Sequence, residues 1–215
     1  MIITYFGHSC FKIQDKTGTD SIELTTDPFD ESVGLKVPNF KSEIVTVSHK
    51  HQDHNNIKVI RGNPYIVQSA GEYDISGVSI HGVESFHDDN NGKERGINII
   101  YRIEMDGVSV SHLGDLGHLL NEKQLDVLVG TDVLLVPVGG KYTLDAKKAA
   151  EVVNQIEPRI VIPMHYKTNG SKVDIDGVDK FIKELGVKPT EEERLKISKK
   201  DLPQEDMRLV ILSCL

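Results

Sequence analysis

The stretch Ser48-His49-Lys50-His51-Gln52-Asp53-His54 places three of the chain's nine histidines and a carboxylate within the six positions 49 to 54. The run ahead of it, Glu43-Ile44-Val45-Thr46-Val47-Ser48, is β-branched and reads as a buried strand, so the cluster falls where a strand ends. His49 and His51 are two apart, a spacing that in extended chain turns both rings to one side. Asp53 and His54 open a helix expected over 53–60, where the chain reverses and folds two more donors back over the same point. Three imidazoles held together repel one another once protonated, and without a cation nothing offsets that repulsion. The motif therefore points to metal ligation rather than to surface or core histidines.

Other strand ends have the same character. Strands are expected over 2–6, 10–14 and 22–26, with a turn around Gly18, then at 65–68, 78–83, 96–105 and 108–113, the last two joined by the hairpin signal Asp106-Gly107. The final third changes to a βαβ rhythm. Strand 132–138 leads through Gly139-Gly140 to a helix in which Ala146, Ala149, Ala150, Val153 and Ile156 repeat at helical spacing behind Thr143 or Asp145 as cap, closed by Pro158. Strand 159–164, a helix over 177–185 and a strand over 207–212 follow, and the charged segment 190–201 reads as solvated surface. His87 opens a polar loop, Asp115 sits between Gly114 and Gly117 at a strand terminus, and His165 ends the strand after Pro158. His8 and Asp27 close the first and third strands. Asp27 is placed to orient a ligating imidazole through its other nitrogen, or simply to cap the turn before Pro28; for His8 a supporting or structural role is favoured over ligation. His112 and His118 flank Asp115 without spacing that singles them out, and His81 is an ordinary strand residue.

Four strand ends thus finish in metal-capable groups: His49, His51, Asp53 and His54 at the first, then His87, Asp115 and His165. Five imidazoles and two carboxylates exceed what one tetrahedral ion takes but fit two, each with room for water. Nitrogen and oxygen donors without thiolate suit zinc first, with manganese or iron as alternatives.

The chain resembles the metallo-β-lactamase fold superfamily of metal-dependent hydrolases. His49, His51, Asp53 and His54 match its His-x-His-x-Asp-His signature, and His87, Asp115 and His165 its later single motifs. Phe6-Gly7-His8-Ser9-Cys10-Phe11, Thr26-Asp27-Pro28-Phe29, Pro137-Val138-Gly139-Gly140 and Pro163-Met164-His165-Tyr166 resemble the branch that contains the L-ascorbate-6-phosphate lactonases. The resemblance implies an α/β fold, the four-layer αββα sandwich, with the site along one edge. It implies a first ion on His49, His51 and His87, a second on Asp53, His54 and His165, and Asp115 bridging two ions about 3.5 to 4 Å apart. Asp115 is not the cysteine of the common zinc β-lactamases, and His51 is not the glutamate of the oxygen-reducing di-iron members. No flavodoxin-like, helical or nucleic-acid domain is expected from these 215 residues. Leu116 replaces a threonine of many relatives, which weakens the expected support of Asp115.

The implied chemistry is hydrolysis by a hydroxide made available near neutral pH by the ions, with Asp53 orienting it or relaying a proton. Two divalent ions against two carboxylates and one hydroxide leave a net charge of about one positive, so a small anionic ester, lactone or phosphodiester is the expected substrate. Tyr142 and Lys167 are candidates for substrate contact, although plain surface or core packing is the better explanation of both, since neither has a motif of its own. The alternatives are a nucleic-acid phosphodiesterase, and a metal-binding sensor or scaffold without turnover. A formal charge of -8, from 25 basic and 33 acidic residues, offers no basic footprint for nucleic acid. One domain over 1–215 is expected from the length, and a cytoplasmic location from the absence of a signal-peptide pattern or apolar span. Cys10 and Cys214, at opposite ends of the chain, form no disulfide framework.

Overall fold

The computed structural model describes residues 1–15 and 21–215, so the turn expected around Gly18 lies outside the described residues. The first half of the chain forms strands β1 (Ile2–Gly7), β2 (Cys10–Gln14), β3 (Glu23–Thr26), β4 (Ile44–Thr46) and β5 (Tyr65–Val67), followed by β6 (Gly71–Ile75), β7 (Val78–Phe86), β8 (Ile97–Met105) and β9 (Val108–His112). The second half contributes helix α1 (Glu122–Leu128), β10 (Val133–Pro137), α2 (Ala146–Ile156), β11 (Ile160–Met164), α3 (Asp179–Leu185), β12 (Thr190–Glu192), β13 (Leu195–Lys196) and β14 (Arg208–Leu212). They build a six-stranded sheet ordered β13-β1-β2-β3-β4-β5 and an eight-stranded sheet ordered β12-β14-β11-β10-β9-β8-β7-β6. This is the layered α/β sandwich expected from the sequence.

Strand direction explains the placement of the site. In the first sheet β1 and β3 are each antiparallel to β2, and β3 is parallel to β4, so β1, β3 and β4 run the same way. In the second, β7 and β9 are each antiparallel to β8, and β9, β10 and β11 are parallel. The carboxyl ends of β1, β3, β4, β7, β9 and β11 carry His8, Asp27, the 49–54 cluster, His87, Asp115 and His165. Ligand crevices in such sheets lie outside the carboxyl ends of strands.

The sheets share one apolar core, to which Ile3, Tyr5, Leu24 and Ile44 come from the first and Ile80, Ile100, Val110 and Leu135 from the second. Strands β10 and β11 are buried along their whole length, as parallel strands covered on both faces must be. Tyr101 on β8 reaches across the core to donate to the Val47 carbonyl at 2.9 Å, and the Ile99 amide donates to the Ser48 carbonyl at 2.9 Å. These bonds clamp the second sheet to the strand end that carries the histidines.

Two expectations change. The segment 53–60 is not an α-helix: after a turn closed by the His54 amide on the His51 carbonyl (3.0 Å), only a 3-10 turn forms at Ile57–Val59. Asn56 binds its own amide to the Pro28 carbonyl (2.7 Å) and its side chain to the Phe29 carbonyl (3.1 Å), which ties it to the 28–29 turn with a non-helical backbone of φ -86° and ψ 60°. That turn covers the outer face of the first sheet through Ile57, Val59 and Ile60 against Val45 and Val47. The charged segment 190–201 is not plain surface. It supplies edge strands to both sheets and buries Leu195 and Ile197, charge on the outward face of an edge strand being tolerated and even protective. Helix α1, whose seven residues are too few to show a period, is specified instead by a capping box of Asn121 and Gln124. Of the two caps considered for α2, Asp145 is the one used; it accepts from the Lys148 amide at 2.8 Å.

Candidate metal centre

Four of the candidate imidazoles surround one oxygen. Oδ2 of Asp115 lies 3.1 Å from Nε2 of His87, 3.2 Å from that of His165, 3.3 Å from that of His54 and 4.0 Å from that of His49. His49, His51 and His87 form one group whose nitrogens lie within 4.8 Å of one another, and His8, His54 and His165 form a second. Asp53 closes the second group from outside. Its Oδ2 is 3.1 Å from His8 Nε2 and 3.8 Å from His54 Nε2, and its side chain is 34% exposed where the other carboxylate is buried. Every sequence-predicted ligand is therefore present. His8, expected in support, stands closer than that: its Nε2 is 3.0 Å from His54 Nε2.

Asp27 is the reason two of these rings present bare nitrogens. Its Oδ1 accepts from the Ser48 amide at 2.7 Å, and its Oδ2 accepts from the Ser48 hydroxyl at 2.5 Å and from His54 Nδ1 at 3.0 Å. With its single proton committed to Asp27, the Ser48 hydroxyl must accept from His49 Nδ1, 2.9 Å away. Both imidazoles thereby keep Nδ1–H turned away from the cluster and aim Nε2 into it, the orientation a ligating imidazole needs. Two nitrogen pairs then face each other at 3.0 Å, His49 Nε2 with His51 Nδ1 and His8 Nε2 with His54 Nε2. Oδ1 of Asp115 is buried with no hydrogen-bond partner. Imidazole nitrogens crowded to 3.0 Å and an unpaired buried carboxylate oxygen fit divalent cations, which would replace the protons now shared among these groups.

The electrostatics follow from packing. Burial pulls His49 down to about 3, with the neighbouring His54 adding to the effect, and burial followed by His165 pulls His8 down to about 4. Burial alone would also lower His54, yet the Asp115 and Asp27 carboxylates overcome it and raise His54 well above its ordinary value. Burial would raise Asp115, but the charges of His165 and His54 hold it far below the usual carboxylate range. Asp53 is likewise depressed against burial by its bond to His8.

Local backbone supports this arrangement. His8, Asp27 and His165 adopt left-handed φ of 54°, 38° and 50°, strained for non-glycine residues and held only because their surroundings over-determine them. The His165 amide donates to the His8 carbonyl at 2.8 Å, stitching the two sheets at the site. Asn98 takes the supporting role that a threonine after Asp115 would have had. Its Oδ1 accepts from the Asp115 amide at 2.9 Å while its amide group donates to Ser85 and to the Leu113 carbonyl. Leu116 itself is core. His112 is structural, donating from Nε2 to the Ser9 carbonyl at 2.9 Å, and His118 accepts from the Phe86 amide at 3.0 Å. Ser48 and Asn98 were not singled out from sequence; the only visible signal is that each is a polar residue closing or interrupting an apolar strand.

The model of the beta-lactamase superfamily domain matches residues 2–165, which holds every candidate ligand. The chain belongs to the metallo-β-lactamase superfamily of metal-dependent hydrolases. Among curated superfamily members it is similar to UPF0173 metal-dependent hydrolases of Staphylothermus marinus (31% identical, 78% of this chain and 84% of the relative) and Thermococcus onnurineus (29%, 77% and 84%). Among solved structures it is similar to a Thermotoga maritima superfamily protein provisionally named a Zn-dependent hydrolase, at 36% identity and a TM-score of 0.79 over 98% of this chain and 97% of that one. The Ignicoccus hospitalis metallo hydrolase Igni18 shares the superfamily fold, with a TM-score of 0.64 at 22% identity over 86% and 90%. Among the described residues no helix is long and apolar enough to cross a membrane.

The two substrate candidates part company. Tyr142 lies under the Arg95 guanidinium, 5.7 Å from ring centroid to Cζ, and shares a cleft with His87. Lys167 instead turns its ammonium to the Val173 carbonyl at 2.7 Å.

Proposed function

We propose that the chain is a binuclear metal-dependent hydrolase, with zinc the first metal to test and manganese or iron next, acting on a small anionic ester, lactone or phosphodiester. The observation that carries this reading is the position of Asp115 Oδ2 between the two histidine groups. His49, His51 and His87 would hold one ion, Asp53, His54 and His165 the other, and Asp115 both. When bound, the ions supply a hydroxide nucleophile near neutral pH and polarise the electrophilic oxygen.

The chain's own residues do the rest. Asp27 keeps one imidazole of each group in the ligating tautomer. Asp53, the one half-exposed carboxylate of the cluster, stands where it can take a proton at the mouth and pass it to solvent, and His8 fixes its rotamer. Asp115, in the low-dielectric interior, stays ionised throughout.

Metal analysis followed by a screen of lactones, thioesters and phosphodiesters tests the reading. The wild type should take up two equivalents of zinc and turn over at least one class, with His49→Ala and Asp115→Ala inactive. Uptake of a single equivalent overturns the binuclear reading, and full loading without turnover favours a sensor or scaffold.

A further inference from the structure

Two clefts flank the histidine cluster, and among the described residues Arg95 is the one that lines both. One, of about 540 Å³, continues from His49 and His51 over Ala70, Ile97 and Ile99. The other, of about 180 Å³, runs from His87 past Tyr142, Lys141 and Lys148. Ile97 is 54% exposed in the larger cleft, an apolar surface left to water beside a cluster that is otherwise polar.

Arg95 is held in place from behind. The buried Asp88 carboxylate accepts four backbone amides of the β7–β8 loop, those of Asn90 (2.9 Å), Gly92 (2.8 Å), Glu94 (3.1 Å) and Arg95 itself (2.8 Å). Closing an eight-residue loop on one carboxylate removes most of its freedom, so the guanidinium is presented by a fixed backbone and stacked on Tyr142. The other cations of the smaller cleft are paired, Lys148 with Asp89 at 3.0 Å and Lys141 with Asp174, while Lys50 is a second cation of the larger cleft. Arg95 has only the exposed Glu94, 3.9 Å away, a contact worth little in water. Its planar fork suits a carboxylate or phosphoryl group.

We propose that Arg95 binds the oxyanion of a substrate whose apolar body lies on Ile97 and Ile99, so that the enzyme acts on amphiphilic anions: esters or lactones with an aliphatic chain and a remote acidic group. This rests on the hydrolase reading above and narrows its substrate class. Glu84 and Lys50 line the same cleft with opposite charges; Arg95 is the anchor because its backbone is held by Asp88 and its guanidinium by Tyr142.

Two arms test it on the zinc-loaded protein. In the kinetic arm, mono-(4-nitrophenyl) adipate is compared with 4-nitrophenyl hexanoate. Arg95→Gln should lower kcat/KM for the anionic ester by at least about tenfold, mainly through KM, because a charge-assisted hydrogen bond is lost, while the neutral ester changes little and Arg95→Lys restores part of the loss. In the binding arm, calorimetry compares adipate and 6-phosphonohexanoate with hexanoate. The dianions should bind more tightly, the preferred one showing whether a carboxylate or a phosphoryl group is favoured, and Arg95→Gln should erase the difference. Equal loss for both esters, or a dianion preference that survives Arg95→Gln, overturns the inference. Absence of turnover with an Arg95-dependent dianion preference overturns the hydrolase reading and leaves Arg95 as the anion site.

Discussion

Asp27 illustrates how much of a metal site is decided by a residue that need not touch the metal. One carboxylate fixes His54 directly and His49 through the Ser48 hydroxyl, one imidazole in each group. Asp27→Asn puts a donor where only an acceptor fits, and should weaken both ions by about 10- to 100-fold, the range for outer hydrogen-bond partners of ligands. Ser48→Ala should weaken only the ion on His49. Competition against a chromophoric chelator separates the two outcomes; an Asp27→Asn protein that holds both ions normally would remove the tautomer argument.

At the scale of single elements, the turn after β9 does the most exacting work. Gly114 has φ 54°, and a Cβ there would sit 2.3 Å from Asn98 Oδ1 and 2.5 Å from Ser48 Cβ, two residues that support the site. Gly114→Ala should therefore cost about 1–3 kcal/mol, as overpacking does, and should also lower metal affinity, because Asp115 is the next residue. Asp145→Ala provides the contrast. Losing the N-cap of α2 should cost about 0.5–2 kcal/mol, with metal content unchanged because the helix supplies none of the donors. Urea unfolding alongside metal analysis of the two variants distinguishes a turn that builds the site from a helix that only stabilises the sheet.

For the molecule as a whole, the buried histidines make the metal-free protein sensitive to pH in both directions. His49 and His8 are pulled by burial to about 3 and about 4, from 6.5. Between those values the unfolded chain binds protons that the folded one refuses, so stability falls as pH drops below about 6.5. His54 has the opposite sign. Raised by Asp115 and Asp27 against burial, it contributes stability that is fully present below 6.5 and is lost as pH rises through its folded value. Urea midpoints of the chelated protein should pass through a maximum near pH 6.5, and a monotonic profile from pH 4 to 9 would contradict this account. Zinc at a hundredfold excess over its dissociation constant should add about 2.7 kcal/mol per site, with the gain shrinking in acid as protons compete for the imidazoles.

Local chemistry was enough to reveal the candidate ligands and the strands that carry them. Three imidazoles in six positions, an aspartate beside glycine and a histidine after a buried run are each visible without neighbours, because donor type and hydrophobic period are properties of short segments. The matching of these motifs to the superfamily likewise needed only their order along the chain. What no segment contains is its partner. That Asp115 lies between two groups of histidines, that Asn98 rather than residue 116 supports it, that His8 stands against His54, and that Asp88 gathers a loop to present Arg95 all depend on contacts between residues distant in sequence. Segment 53–60 failed as a helix for the same reason: its Asn56 binds groups on the 28–29 turn, and hydrogen bonds across the fold outweigh a local preference worth a few tenths of a kcal/mol per residue.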